Sequence, residues 1–164
     1  MTDEQLTQLS THVGQLLSAR GATVTTAESC TGGWIAKVLT DIAGSSAWFH
    51  RGFVTYSNDA KQQMVGVSAR SLAEHGAVSE SVVREMAQGA LREAAADFAL
   101  AVSGIAGPDG GSQEKPVGTV WFGFACASGE VLAERRCFSG DREEVRRQAT
   151  AWALLALRDR FLKN

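Results

Sequence analysis

The chain has 164 residues, 45% apolar and 21% charged, the size and balance of one folded domain spanning residues 1–164 with no long disordered tail. A net charge of −2 excludes a chain-wide positive field that would gather nucleic acid or an anionic membrane, so neither is expected as a partner. Cys30, Cys126 and Cys137 are odd in number and lack Cys-x-x-Cys spacing, which argues against a disulfide framework or a structural zinc site. With no signal-peptide pattern and no apolar run of membrane-spanning length, the expected setting is cytoplasmic.

Thr2 and Gln5 form a capping box, and Leu6, Leu9, Val13, Leu16 and Leu17 recur at helical spacing until Gly21, which predicts a first helix. ATVTTA (22–27) is β-branched and short, so it reads as a buried strand. A helix is expected from Thr31 to about Ile42, its apolar side formed by Trp34, Ile35, Val38, Leu39 and Ile42. Residues 49–57 read as a second strand, and 58–65 as a short helix capped by Ser57 or Asn58. Ser68 and Ser79 are expected to cap two further helices, the second running to about Ala96. Phe98–Ser103 reads as a strand, and residues 104–118, which hold both prolines, as a glycine-rich functional or disordered loop. Thr119–Ala127 and Val131–Phe138 suggest a hairpin across Ser128-Gly129; a second capping box, Asp141 with Glu144, opens a C-terminal helix. Early β–α alternation followed by a late hairpin predicts an α/β fold, a three-layer α/β/α sandwich with a mixed sheet of about five strands.

Glu28-Ser29-Cys30-Thr31-Gly32-Gly33 lies between a strand end and a helix, where open α/β folds place ligands. Ser29 is expected at the helix N-terminus, where unpaired N–H groups favour an oxyanion or a phosphate, and Gly32 and Gly33 would let a ligand approach the backbone. Residue types alone leave a plainer reading open: Ser29 or Thr31 caps the helix and the glycines make a turn. A serine nucleophile needs a base, and His12, His50 and His75 have no obvious carboxylate partner in sequence. A lysine serves if its amine is neutral near pH 7, well below the ordinary value of about 10.4. Lys115 sits in the loop and Lys163 at the C-terminus, while Lys37 points roughly 130° from its helix's apolar direction. Lys61 follows the second strand and would meet Ser29 if the first two strands are neighbours; by itself it reads more readily as a solvated helix residue. Ser103-Gly104 could add a hydroxyl or backbone donors. Arg142, Arg146 and Arg147 could bind a phosphate, although Arg146 and Arg147 read better as a solvated face paired with Glu143 and Glu144. Two other readings stay open: Cys30 as the nucleophile, its thiol pKa lowered at a helix N-terminus, and a non-catalytic nucleotide- or partner-binding module.

AESCTGG (27–33), RGFVTYSNDAK (51–61), HGAVS (75–79), SGIAGPDGG with KPVGTVWFG (103–111 and 115–123) and FSGDREEVR (138–146) together resemble the CinA C-terminal domain family. The resemblance covers nearly the whole chain and lies toward the family's stand-alone nicotinamide-nucleotide amidases. It implies hydrolysis of nicotinamide mononucleotide to nicotinate mononucleotide and ammonia, with Ser29 as nucleophile, Lys61 as base and Tyr56 close by. It further implies that Arg142 and the backbone of Ser103 and Gly104 contact substrate or oxyanion, with Thr31, Gly32 and Gly33 beside them. No metal or other cofactor is expected, and the partners implied are a small nucleotide substrate and a second copy of the chain in a homodimer.

Overall fold

The computed structural model describes residues 1–163. Its elements are α1 (Asp3–Ala19), β1 (Val24–Glu28), α2 (Trp34–Thr40), β2 (Phe49–Val54), α3 (Asn58–Val65), α4 (Ala69–His75), α5 (Glu80–Ala94), β3 (Phe98–Gly104), β4 (Thr119–Cys126), β5 (Val131–Cys137) and α6 (Arg142–Leu157), with a final π-helical turn at Arg158–Leu162. Both expected capping boxes form, and Ser57, Ser68 and Ser79 accept the expected backbone N–H groups of α3, α4 and α5.

The five strands lie in the order β2-β1-β3-β4-β5, parallel among β2, β1 and β3 and antiparallel from β3 to β5. The mixed three-layer α/β/α arrangement is therefore the one the sequence pattern predicts. Along β3, Leu100 and Val102 face a core shared with α1, α2 and α6, while Ala99 and Ala101 face a second core under α3 and α5. The first face is filled by bulk: Phe122 on β4 meets Trp152 on α6 with ring centroids 4.4 Å apart. On the second face the inner strands present small residues, Ala27, Ala99, Ala101 and Ala125 with Gly123, so α5 lies close to the sheet; a Cβ at Gly123 would fall 2.2 Å from the Val83 carbonyl oxygen.

Several boundaries differ from expectation by one to three residues, β1 running Val24–Glu28 instead of 22–27 among them, and two of them shape the site. Gly32 and Gly33 adopt left-handed φ values of +59° and +99°, which keep the chain in a turn and delay α2 to Trp34 instead of Thr31. β2 stops at Val54, because Thr55 still donates its N–H and its hydroxyl to Glu28 O but Tyr56 and Ser57 turn away into the α3 cap. From β1 the chain returns to β2 on one side and, later, β3 pairs on the other. The carboxyl ends of β1 and β3 thus border a crevice at a topological switch point.

The wall of that crevice built by α3 depends on one close approach. Gly89 of α5 faces Val65 at the end of α3, where an added Cβ would sit 1.7 Å from the Val65 carbonyl oxygen. Gly89→Ala is expected to destabilise the protein by about 1–3 kcal/mol through overpacking, measured by denaturant unfolding. The displacement of α3 should also lower activity; a variant as stable and active as the parent would contradict this account.

Candidate active site

Ser29 is the first residue after β1, and its N–H donates to Val102 O of β3 at 2.9 Å, which ties it to both parallel strands. Ser29 O accepts Gly32 N–H at 3.0 Å, closing the tight turn that carries the side chain. Lys61 lies in the first part of α3, which Ser57 caps, and α3 follows the neighbouring strand β2. The two side chains meet: Lys61 Nζ is 3.2 Å from Ser29 Oγ and donates at 3.2 Å to Tyr56 O. Ser29 Oγ is also within 3.4 Å of Tyr56 O.

Lys61 is 1% exposed, and removal of its amine from water pushes its pKa below the ordinary lysine value. Among the described residues no carboxylate pairs with it. Ser29, Tyr56, Lys61, Ser103, Gly104 and Arg142 all line one cavity of about 240 Å³. Ser103 is 1% exposed at the end of β3. Arg142 stands at the mouth, donating to Tyr56 Oη at 3.0 Å and to Gly107 O at 2.8 Å. Tyr56 therefore reaches the Ser29–Lys61 pair with its main-chain carbonyl, while its largely exposed phenol meets Arg142. Residues 105–118 form the irregular loop beside the mouth; Lys115 Nζ pins it to His75 O at 2.7 Å.

This arrangement lies in a chain whose residues 6–161 match the profile of the CinA C-terminal domain. The chain belongs to that family. A protein named nicotinamide-nucleotide amidohydrolase PncC from Escherichia coli strain K12 is 72% identical over 164 residues, covering 100% of this chain and 99% of that protein. One of the same name from Pseudomonas putida is 53% identical over 151 residues, covering 92% of this chain and 94% of its own. Among solved structures, the competence/damage inducible protein CihA of Agrobacterium tumefaciens superposes with a TM-score of 0.91 at 47% identity, covering 96% of this chain and 94% of that one.

Four expectations need correction. The N-terminus of α2 is not open to a ligand, because the fully buried Glu28 carboxylate occupies it: Oε1 accepts from Ile35 N and Oε2 from Ala36 N, each at 2.9 Å. Thr31 does not face the cavity of Ser29 and Lys61; its hydroxyl donates to Glu28 Oε1 at 2.6 Å, and Thr31, Gly32 and Gly33 line a separate cleft with Trp34 and Arg146. Cys30 does not have a lowered pKa, since burial pushes its thiol up to about 12. Arg146 is not a solvated ion-pairing residue: Nε donates to Cys30 O at 2.9 Å and Nη2 to Thr31 O at 3.2 Å. Arg147 does pair with Glu143, at 3.6 Å, and with Asp3, at 2.6 Å.

Glu28 and Arg146 are the residues missed. Glu28 carried a faint signal, a carboxylate shortly before a glycine turn and seven and eight residues before the helical N–H groups it caps. Arg146 carried only its helical spacing from Arg142, which places both on one side of α6. Among the described residues, no group of three or more His, Cys, Asp or Glu side chains could hold a metal ion.

Burial raises the Glu28 pKa, and the hydrogen bonds from Thr31, Ala36 and Ile35 oppose that rise. Glu28→Gln keeps the shape but turns an N–H group toward one of the α2 donors. A loss of about 1–3 kcal/mol is expected on unfolding, the cost of a buried donor left unpaired. Unchanged stability would mean that the carboxylate is protonated or dispensable in the fold.

Proposed function

We propose that the chain is an amidohydrolase that converts nicotinamide mononucleotide and water to nicotinate mononucleotide and ammonia through Ser29 and Lys61. The observation that carries this reading is the 3.2 Å approach of a buried lysine amine to the Ser29 hydroxyl at the floor of a cavity. The name shared by the full-length relatives supplies the substrate.

In this reaction neutral Lys61 takes the Ser29 proton as Oγ bonds to the carboxamide carbon, and the carbonyl electron pair moves onto oxygen. When the tetrahedral centre collapses, the C–N bond breaks and Lys61 returns the proton to the nitrogen, which leaves as ammonia. Water then gives a proton to Lys61 and attacks the ester; the Ser29 C–O bond breaks, and Oγ recovers its proton. The pyridinium ring withdraws electrons from the amide and assists the attack. Arg142, at the mouth and bonded among the described residues only to neutral oxygens, is suited to exchange them for the 5′-phosphate. The same reading includes a homodimer in the cytoplasm, where three unpaired thiols are at home.

Incubation of purified protein with nicotinamide mononucleotide should release ammonia in equal amount to the acid nucleotide. Absence of both products would reject the substrate. Ser29→Ala should cut the rate by several orders of magnitude, and retention of more than about a tenth would remove the serine from the mechanism.

Lys61→Met should be as damaging, and the lysine should also govern pH behaviour. Because burial lowers its pKa, the amine is neutral above that lowered value and activity should fall as pH drops through it. Between the lowered folded value and the ordinary unfolded value of about 10.4, the unfolded chain binds more protons, so this residue's contribution to stability rises with pH. Lys61→Met should therefore be more thermostable than the parent near pH 7, with the advantage shrinking toward pH 10. An advantage that grew with pH would show the amine to be charged in the folded protein.

A further inference from the structure

Lys61 and Arg142 are the basic residues of the cavity, and no acidic side chain lines it. The groups that meet the Lys61 amine are themselves neutral. The turn after β1 presents the Ser29 hydroxyl and the Cys30 thiol, which burial keeps protonated by pushing its pKa up to about 12. The connection from β2 presents Tyr56 O, and β3 presents Ser103. On α5, packed against α3, Glu80 pairs with Arg84, Glu85 binds Ser68 and Ser71, and Arg92 meets Glu93. Asp59 on α3 and His75 before α5 are exposed, and the Glu28 carboxyl behind the turn is taken up by Thr31, Ile35 and Ala36.

A cavity with an amine at its floor, a guanidinium at its mouth and no acid between them fits a ligand that is anionic at both ends. The proposed reaction makes one. When Ser29 Oγ leaves the second tetrahedral centre with the proton from Lys61, the product parts from it as a carboxylic acid beside a neutral amine. The acid O–H bond then breaks and an N–H bond forms on Lys61, the stronger base. The carboxyl carbon has just left Oγ, which lies 3.2 Å from Nζ, so this ion pair forms within hydrogen-bond reach. A second donor stands ready for the other carboxylate oxygen. Pairing of Glu28 with Val102 sets the next residues along, Ser29 and Ser103, side by side, and the Ser103 hydroxyl, in a residue 1% exposed, has no partner among the described residues.

We propose that the site is restrained by its own acid product: nicotinate mononucleotide binds with its carboxylate on a Lys61 ammonium and its phosphate on Arg142, takes up one proton from solution, and competes with the amide. This rests on the reading of the site as a Ser29–Lys61 amidohydrolase. The amide brings no negative charge to the floor and leaves Lys61 neutral, so the two ligands differ by one proton. Burial lowers the Lys61 pKa in the free protein and a bound carboxylate raises it. Between those two values the acid binds more weakly as pH rises, by up to about tenfold per pH unit.

Isothermal titration calorimetry of nicotinate mononucleotide into the purified protein, in buffers of different ionisation enthalpy, tests this between about pH 7 and about pH 9.5, where the phosphate is already a dianion. Uptake approaching one proton per site is expected within this range, with a Kd that rises with pH and a parallel weakening of competitive inhibition of ammonia release. Ribose 5-phosphate, which lacks the carboxylate, should cause no uptake. Lys61→Met should bind the acid without uptake and, near pH 7, about tenfold or more weakly than the parent. Acid binding without proton uptake, uptake that survives in Lys61→Met or is matched by ribose 5-phosphate, or no binding of the acid overturns the proposal. Proton-coupled binding to a protein that releases no ammonia from nicotinamide mononucleotide upholds the two-anion site and rejects the reaction; ammonia release with proton-free binding of the acid does the reverse.

Discussion

The site depends on one desolvated amine. A neutral lysine amine has two N–H donors and one lone pair, and the two oxygens near Lys61 Nζ, Tyr56 O and Ser29 Oγ, suit that inventory: one accepts a proton, and the other can present its own to the lone pair. An ammonium would bring a third donor and a full charge into the same enclosed place with no carboxylate to meet them. Geometry and burial thus favour the same protonation state, the one a base requires. The tetrahedral chemistry proposed for Ser29 follows from that state more than from any property of the serine.

The turn that holds Ser29 is fixed from two sides, by a carboxyl group and by a guanidinium. Glu28 lies inside, fully buried, and joins the turn to the start of α2 through Thr31, Ile35 and Ala36. Arg146 lies on the outer side and joins it to α6 through Cys30 O and Thr31 O. Each side chain satisfies main-chain atoms that a five-residue connection between strand and helix would otherwise leave exposed to an apolar interior. Two left-handed glycines make the connection short enough for both clamps to reach it.

What was legible in the sequence was local. Thr2 with Gln5, Asp141 with Glu144, and the caps Ser57, Ser68 and Ser79 act within three residues, and the side-chain periodicities of helix and strand need no knowledge of the rest of the chain. The burial of Lys61 was not local. It depends on β1 pairing with β2 and on Gly89 letting α3 settle against α5, neither of which is encoded near residue 61. Glu28 was hidden because a carboxylate beside a glycine turn resembles any polar loop residue. Arg146 was hidden because its partners are carbonyl oxygens, which no side-chain pattern announces, whereas Glu143 stood four residues from Arg147 and did mark that neighbour's ion pair.

The division between floor and mouth then follows from the sheet. The groups proposed to react sit at the ends of parallel strands and on the connections that leave them, where Ser29, Lys61 and Ser103 are almost fully buried and held by main-chain bonds. The antiparallel half supplies backing through β4 and the loop beside the mouth. That mouth joins exposed groups, the phenol of Tyr56 and the guanidinium of Arg142, to the main chain at the buried Gly107. On the proposed mechanism, chemistry that must be preorganised is therefore set among parts that lose most by moving, and recognition of the substrate's phosphate among parts that exchange two neutral oxygen partners for an anion at little cost to the core. On that proposal a change in the substrate's far end would be absorbed at Arg142 and Tyr56 without disturbing the Ser29–Lys61 contact, so the mouth would be the region where specificity varies while the reaction stays the same.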